Sequence, residues 1–281
     1  METRLIPLSD SIQLAAKIWR GGPKTPVICL HGLTRNAADF EDLQPLIAAV
    51  GHDSCAITMR GRGKSDRDPN YSNYHPLQYR DDVISVMNSM AIERAVFIGT
   101  SLGGIVTMLV NEAAPELLAG AIINDVGPDL APEGIARIAG YVGKTSGVAA
   151  DLDGAAAAIR AVNETAFPDR PHEFWVEFAK RTFRQNPDGS WALDYDPNIG
   201  RALTELGPAP DLWGPWEGLK SKPTLVIRGA ISDLLSPQIV EKMRGVHRNF
   251  DYAEVANTGQ APTLTEPEAW RAVEDFLARI G

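Results

Sequence analysis

The stretch VFIGTSLGG, residues 96–104, joins an apolar run to a turn made of small residues. Residues 96–98 are typical of a buried strand, and the apolar residues after Ser101 indicate a helix. Between them, GTSLG fits the pattern G-x-S-x-G, a sharp turn from strand to helix. Such a turn brings backbone segments so close that Gly99 and Gly103 stand where a side chain would clash. We therefore expect Ser101 to be exposed at a helix N-terminus, where the peptide dipoles favour developing negative charge.

Strands and helices alternate on both sides of this turn. Strand patterns precede it at residues 4–6, 13–18, 27–31 and 56–59, and follow it at residues 121–124, 224–228 and 252–255. Repeated strand–helix units favour a mostly parallel sheet that is covered by helices on both faces. The sequence therefore predicts an α/β fold with an eight-stranded sheet.

The alternation stops at Gly127-Pro128 and resumes near Pro223. Between these points the pattern is mostly helical, and the segment does not continue the sheet. We expect residues 128–215 to form a helical lid over Ser101, while residues 1–127 and 216–281 form the core.

The composition limits the classes of function. The chain has 281 residues, of which 44% are hydrophobic, and its net charge is −9, which argues against a nucleic-acid partner. The opening METRLIPLSD lacks an apolar run typical of a signal peptide, and no segment is long enough to span a membrane. Cys29 and Cys55 are interpreted as buried, reduced thiols of a cytoplasmic protein. The five histidines have no metal-ligand spacing, so we expect no metal site.

Two further loops follow predicted strands and are expected to lie near Ser101. His31-Gly32-Leu33 would bring the Leu33 amide beside that of Leu102, so that both could donate hydrogen bonds to an oxyanion. His31 itself is more simply interpreted as a brace for this loop. Downstream, Asp233 lies just past a strand, where a carboxylate could orient an imidazole. Asp125, which follows the preceding core strand, is the competing acid.

Five motifs in order (HGLT, MRGRGKS, GTSLGG, RGAISDLLS and GQAPTLTEPE) resemble those of the α/β-hydrolase superfamily. The resemblance is greatest to its lid-bearing bacterial serine esterases, lactonases and C–C hydrolases, and it covers nearly the whole chain. It implies that Ser101 is the nucleophile, that Asp233 is the acid of a catalytic triad, and that Leu33 and Leu102 supply the oxyanion hole. It implies no cofactor.

The same resemblance places Gln260 where the family carries its general base, a histidine. A carboxamide can form hydrogen bonds, and we expect one to Ser101 or Asp233, but it cannot accept the serine proton and return it. Loss of a triad base costs about six orders of magnitude in turnover. Two explanations stay open: a replaced histidine in a hydrolase, which Gln260→His would restore, or a natural receptor-like binding protein.

The substrate is only partly constrained by the sequence. The predicted lid has thirteen acidic and eight basic residues, which disfavours anionic substrates. Its aromatic residues are mostly expected in the lid core, while Trp175, Phe178 and Trp213 are candidates for the substrate pocket. We expect a small, mostly apolar, uncharged ester or lactone that reacts through an acyl-enzyme, with C–C hydrolysis of a vinylogous diketone as the alternative. A small molecule is the expected partner, and assembly into homo-oligomers is left open.

Overall fold

The computed structural model describes residues 1–143, 147–207 and 210–281. The described residues contain ten strands in chain order: β1 (Glu2–Pro7), β2 (Gln13–Leu30), β3 (His52–Ile57), β4 (Ala95–Thr100), β5 (Leu118–Asn124), β6 (Val148–Ala149), β7 (Phe183–Gln185), β8 (Trp191–Leu193), β9 (Thr224–Gly229) and β10 (Asp251–Val255). They also contain ten α-helices: α1 (Leu43–Ala49), α2 (Pro76–Ser89), α3 (Leu102–Ala113), α4 (Pro132–Tyr141), α5 (Leu152–Asn163), α6 (His172–Thr182), α7 (Asn198–Glu205), α8 (Trp213–Gly218), α9 (Pro237–Val246) and α10 (Pro267–Ile280).

Seven strands form the main sheet, in the order β1-β2-β4-β5-β9-β10, with β3 also paired to β2. The neighbours from β2 through β4, β5 and β9 to β10 are parallel. β1 pairs antiparallel with β2, and the first half of β2 (Ala16–Trp19) runs antiparallel to β3, whereas the second half (Val27–Leu30) runs parallel to it. The predicted α/β class with a mostly parallel sheet is therefore confirmed. Because parallel strands end at the same edge, the loops after β4, β5 and β9 meet there.

The sheet has seven strands rather than the eight expected because two predicted strands are one continuous strand, β2. The chain bends at Gly21 and Gly22, whose amides both donate to the Asp53 carboxylate, at 2.8 and 3.3 Å. β3 then lies between the two halves of β2, with Ile57 paired to Ala16 on one side and to Leu30 on the other. The halves therefore occupy two separate positions across the sheet.

Side chains alternate between two apolar layers along each central strand. In β2, Ile28 and Leu30 belong to one buried cluster, whereas Val27 and Cys29 belong to another. Residues of α2, α3 and α9 pack in the first cluster, and residues of α1 and α10 pack in the second. This alternation is what a strand buried on both faces produces.

The segment between β5 and β9 contains helices α4 to α8 and a small antiparallel sheet, in the order β6-β8-β7. The sheet was not expected in a helical lid. Its hairpin turns at Asn186–Ser190, where the Asn186 amide donates to the Ser190 carbonyl and Gly189 has a φ of +88°. Asp188-Gly189 was the signal for this turn.

This segment has an apolar core of its own, which includes Ile159, Phe167 and Trp175. Helix α8 does not share this core. Its Trp216 packs with His247 and Phe250 and belongs to the cluster that also contains Ile28 and Leu30 of β2. The expected boundary after residue 215 thus cuts through α8, and the division into core and lid stays a prediction. No helix among the described residues is long and apolar enough to cross a membrane.

Candidate active site

Ser101 lies at the elbow between β4 and α3, as the N-cap of the helix, and it is largely buried (9% exposed) rather than exposed as the sequence predicts. Its backbone is in an uncommon left-handed conformation, with φ of 52° and ψ of −116°, and its amide donates to the Asn124 carbonyl at 2.9 Å. A Cβ at Gly103 would lie 2.0 Å from the Leu30 carbonyl oxygen, and one at Gly99 would lie 2.3 Å from that of Gly103. Both glycines are therefore required for the close approach of helix and strand. The positive φ of Ser101 is a form of backbone strain, and such strain is concentrated at functional sites.

The loop after β2 lies directly beside this serine. A Cβ at Gly32 would be 3.7 Å from the Cβ of Ser101. His31 is fully buried beneath the loop, where its Nε2 accepts from the Met59 amide at 3.0 Å and its Nδ1 donates to the Gly32 carbonyl at 2.7 Å. Burial, reinforced by the nearby Arg62 cation, lowers the pKa of His31 to about 3. His31 is thus a neutral brace of the loop, in agreement with the sequence interpretation.

Of the two residues predicted as oxyanion donors, Leu102 follows Ser101 in the chain and Leu33 lines the same cavity as Ser101. Leu102 is the first residue of α3, and the first amides of a helix have no acceptor within it. The Leu33 carbonyl accepts a hydrogen bond from Arg62 Nε at 2.9 Å, which orients the neighbouring peptide groups. This placement is consistent with an oxyanion hole, and the role of Leu33 and Leu102 stays a prediction.

Asp125, the competing acid, has a structural set of contacts. Its side chain is completely buried, and the carboxylate accepts from the Gly229 amide at 2.8 Å and from the Ser232 hydroxyl at 2.6 Å. Burial raises the pKa of Asp125 to about 7, although both hydrogen bonds oppose that shift. Ser232 in turn accepts from the Leu234 and Leu235 amides, so Asp125 holds the loop that carries Asp233.

Asp233, the favoured acid, forms a salt bridge with Arg137, a residue that no motif of the sequence indicated. Arg137, on α4, donates from Nε to Asp233 Oδ2 at 2.5 Å and from Nη2 to Oδ1 at 2.9 Å. The same Nη2 donates to Gln260 Oε1 at 3.3 Å. The expected direct hydrogen bond from Gln260 to Ser101 or Asp233 was therefore wrong: Gln260 reaches Asp233 only through the Arg137 guanidinium. The pKa of Arg137 is raised, chiefly by its hydrogen bond to Asp233.

Helix α4 is attached to the Asp233 loop along its first turns. The Ala131 amide donates to the Leu234 carbonyl and the Gly134 amide donates to the Asp233 carbonyl, both at 2.9 Å. A Cβ at Gly134 would be 2.6 Å from that Asp233 oxygen. A glycine inside a helical pattern was the one sequence signal of this close contact.

A cavity of about 810 Å³ lies above Ser101. Leu33, Ser101 and Gln260 line it from the core, while the segment between β5 and β9 contributes apolar side chains, namely Ile138, Ile159, Phe167, Phe174 and Phe178. Charged side chains also line it: Arg35, Asp39, Asp42, Arg170, Glu173, Glu177, Arg181 and Glu266. The cavity thus combines an apolar wall with a strongly polar one.

Only one of the three predicted pocket aromatics lines this cavity. Phe178 does so, with the Arg35 guanidinium 4.0 Å from its ring centroid. Trp175 was assigned wrongly, because it faces inward, 1% exposed, against Phe167. Trp213 was also assigned wrongly: it lies on α8, outside the cavity, and its Nε1 donates to Asp129. Among the described residues, no three His, Cys, Asp or Glu side chains are grouped to hold a metal ion.

Comparisons with known proteins agree with this fold. Residues 27–273 match the family described as the alpha/beta hydrolase family. The chain is 30% identical over 258 residues to the 3-hydroxybutyrate-oligomer hydrolase of Cupriavidus necator, covering 88% of this chain and 87% of that protein. It is 25% identical to the esterase Rv0045c of Mycobacterium tuberculosis, with 83% and 78% covered. The crystal structure of an alpha/beta hydrolase from Novosphingobium aromaticivorans is similar, with a TM-score of 0.92, 39% identity, and 99% and 98% of the chains covered.

Proposed function

The chain belongs to the alpha/beta hydrolase family, and from this premise we propose that it is a serine hydrolase that forms an acyl-enzyme at Ser101. The observation that carries the proposal is the strained elbow of Ser101 at the base of a cavity with an apolar wall. The proposed substrate is a small, mostly apolar, uncharged ester or lactone. The names of the two relatives, an oligomer hydrolase and an esterase, support an ester.

The proposed reaction begins when Ser101 Oγ attacks the carbonyl carbon of the substrate. The oxyanion accepts hydrogen bonds from the Leu33 and Leu102 amides, the carbon–oxygen ester bond breaks, and the alcohol leaves with a proton. Water then attacks the acyl-serine and releases the acid. Both steps require a base that takes a proton from the attacking oxygen and returns it to the leaving group.

Gln260 cannot perform that proton transfer, because a carboxamide does not titrate in the useful range. We propose that the chain in its present form hydrolyses its substrate very slowly and that an acyl-enzyme, once formed, persists. Asp233 is favoured as the triad acid because it shares the Arg137 guanidinium with Gln260, whereas the hydrogen-bond partners of the fully buried Asp125 are Gly229 and Ser232.

A second candidate is a binding protein that uses the cavity without turnover. The contact of Arg137 with both Asp233 and Gln260 favours it, since a cation then occupies the space between the acid and the base position. In this case the cavity would retain its ligand affinity, and no substitution at position 260 would produce hydrolysis.

The deciding experiment uses p-nitrophenyl esters of increasing acyl length and a set of lactones. The unaltered chain, Gln260→His and Gln260→His/Arg137→Gln are each compared with the same protein carrying Ser101→Ala. We expect ester cleavage that depends on Ser101 in at least one base-restored protein, and a mass increase of one acyl group in the unaltered chain. If every protein matches its Ser101→Ala control while ligands still bind by calorimetry, the binding-protein candidate replaces the hydrolase.

A further inference from the structure

We infer that Arg137 is a positioning residue that binds the Asp233 carboxylate and prevents it from pairing with a base at position 260. Two residues, Gln260 and Arg137, therefore keep this site inactive together. The inference rests on the proposed function, because it concerns the same triad. It goes further in naming a residue of the lid helix as the element that controls the acid.

The hydrogen bonds of the guanidinium carry the inference. Arg137 occupies both oxygens of the Asp233 carboxylate in the forked geometry that suits an arginine–carboxylate pair. Its Nη2 is shared with Gln260 Oε1. Since one nitrogen contacts both acceptors, Asp233 and the side chain at position 260 are close enough for an imidazole to replace the guanidinium between them.

The backbone of α4 is bound to the Asp233 loop, and this contact sets the position of Arg137. The Ala131 and Gly134 amides donate to the Leu234 and Asp233 carbonyls, within the two turns before Arg137. The side chain of Arg137 is only 18% exposed. The guanidinium therefore remains bound to Asp233 as long as α4 stays packed against the loop after β9.

A cation at this point opposes what a triad acid does. In a working triad the carboxylate holds the imidazole in one tautomer and stabilises the imidazolium that forms. The Arg137 guanidinium is always protonated, so it neutralises Asp233 and disfavours a second positive charge beside it. An imidazole placed at position 260 would consequently lack both its orienting partner and its charge stabilisation.

The test is a double-mutant comparison of ester turnover. A triad that loses its acid alone retains roughly one part in 10⁴ of its turnover. We therefore expect Gln260→His to remain about 10³- to 10⁴-fold slower than Gln260→His/Arg137→Gln, while Arg137→Gln alone stays at the level of the unaltered chain. Arg160→Gln is the matched control, because Arg160 is a lid arginine whose pair with Glu164 is exposed. Adding it to Gln260→His should change nothing. Equal turnover in the single and double variants, above that of their Ser101→Ala controls, would overturn the inference and leave the proposed function standing.

A second readout does not depend on turnover. The pKa of the introduced imidazole is measured by NMR titration in both proteins. We expect it below the ordinary value of about 6.5 when Arg137 is present, and above that value in the double variant, where the Asp233 carboxylate is free to accept a hydrogen bond from the imidazolium. The same pKa in both proteins would contradict the inference. A raised pKa in the double variant with no turnover of any ester would support the role of Arg137 and refute the hydrolase proposal.

Arg137→Lys protects this test against a folding defect. It keeps the positive charge but cannot form the fork, so with Gln260→His it should give a low imidazole pKa and intermediate turnover. Melting curves of all variants establish that α4 remains packed. If Arg137→Gln unfolds the protein, Gln260→His/Arg137→Lys is compared with Gln260→His instead. Equal turnover of these two proteins would count against the inference.

Discussion

The backbones of Gly134 and Asp233 approach so closely that the amide of the first donates to the carbonyl of the second at 2.9 Å, and a Cβ at Gly134 would lie 2.6 Å from that oxygen. This contact joins helix α4 to the loop after β9. The position of the proposed lid and the position of the proposed triad acid are therefore coupled. Any change that lifts α4 also withdraws the Arg137 guanidinium from Asp233.

Gly134→Ala should separate α4 from the Asp233 loop, because the new methyl group overlaps a backbone oxygen that has little room to move. We expect a loss of about 1–3 kcal/mol in the free energy of unfolding, in spite of the better helix propensity of alanine. In the Gln260→His background it should also increase ester turnover. Denaturant unfolding and the ester assay measure the two effects.

Gly140→Ala is the control for this substitution. Gly140 is in the same helix, and a Cβ there meets nothing within 4 Å. It should stabilise the protein by up to about 1 kcal/mol and leave turnover unchanged. If both alanine variants behave alike, the Gly134 contact does not hold the helix in place.

Asp125→Asn should change how stability depends on pH. The folded protein raises the pKa of Asp125 to about 7, chiefly through burial, so it binds a proton that the unfolded chain releases above about pH 4. The stability that this group contributes is thus complete below pH 4 and is lost as the pH rises towards 7, at no more than about 1.4 kcal/mol per pH unit. Asparagine does not titrate. Unfolding free energies of the two proteins between pH 5 and 7.5 should diverge in favour of the variant, and parallel curves would rule this out.

His31→Gln should change how the free energy of unfolding responds to acid. The pKa of His31 is lowered to about 3 by burial, so the unfolded chain binds a proton below about pH 6.5 that the folded protein rejects. Stability from this group is complete above pH 6.5 and is lost as the pH falls towards 3. The glutamine variant should therefore lose less stability than the parent between pH 6.5 and 5. An unchanged acid response in denaturant titrations would show that His31 is already protonated in the folded state.

Phe178→Ala and Trp175→Ala should separate binding from stability within one helix, α6. Phe178 lines the cavity, so its removal should raise the KM for apolar esters, or weaken ligand binding, by about tenfold with a modest loss of stability. Trp175 is buried in the apolar core of the segment between β5 and β9, and its removal should cost about 3–5 kcal/mol in the free energy of unfolding. Calorimetry and limited proteolysis of the segment between β5 and β9 measure these results. A reversed assignment would mean that α6 is rotated relative to the cavity.

The sequence was most informative where a structural requirement is local. The Ser101 elbow needs a strand, a helix and two glycines within a few residues, and all of these are adjacent in the chain. The two apolar layers of the sheet also follow directly from alternation along strands such as β2. The hairpin at Asn186–Ser190 had a local turn signal as well, but the helical pattern on either side of it obscured the short strands.

The position of Arg137 against Asp233 could only come from the tertiary structure. These residues are 96 positions apart, and their contact depends on how α4 docks against the loop after β9. The direction of Trp175 likewise depends on which face of α6 packs on α5, since Phe178 lies on the same helix and is equally aromatic. By itself, the sequence determined the fold and the serine turn, because short-range sterics and periodicity are encoded by neighbouring residues. The environment of Gln260 was decided by long-range packing, because the charge that reaches Asp233 and Gln260 is carried by a separate helix.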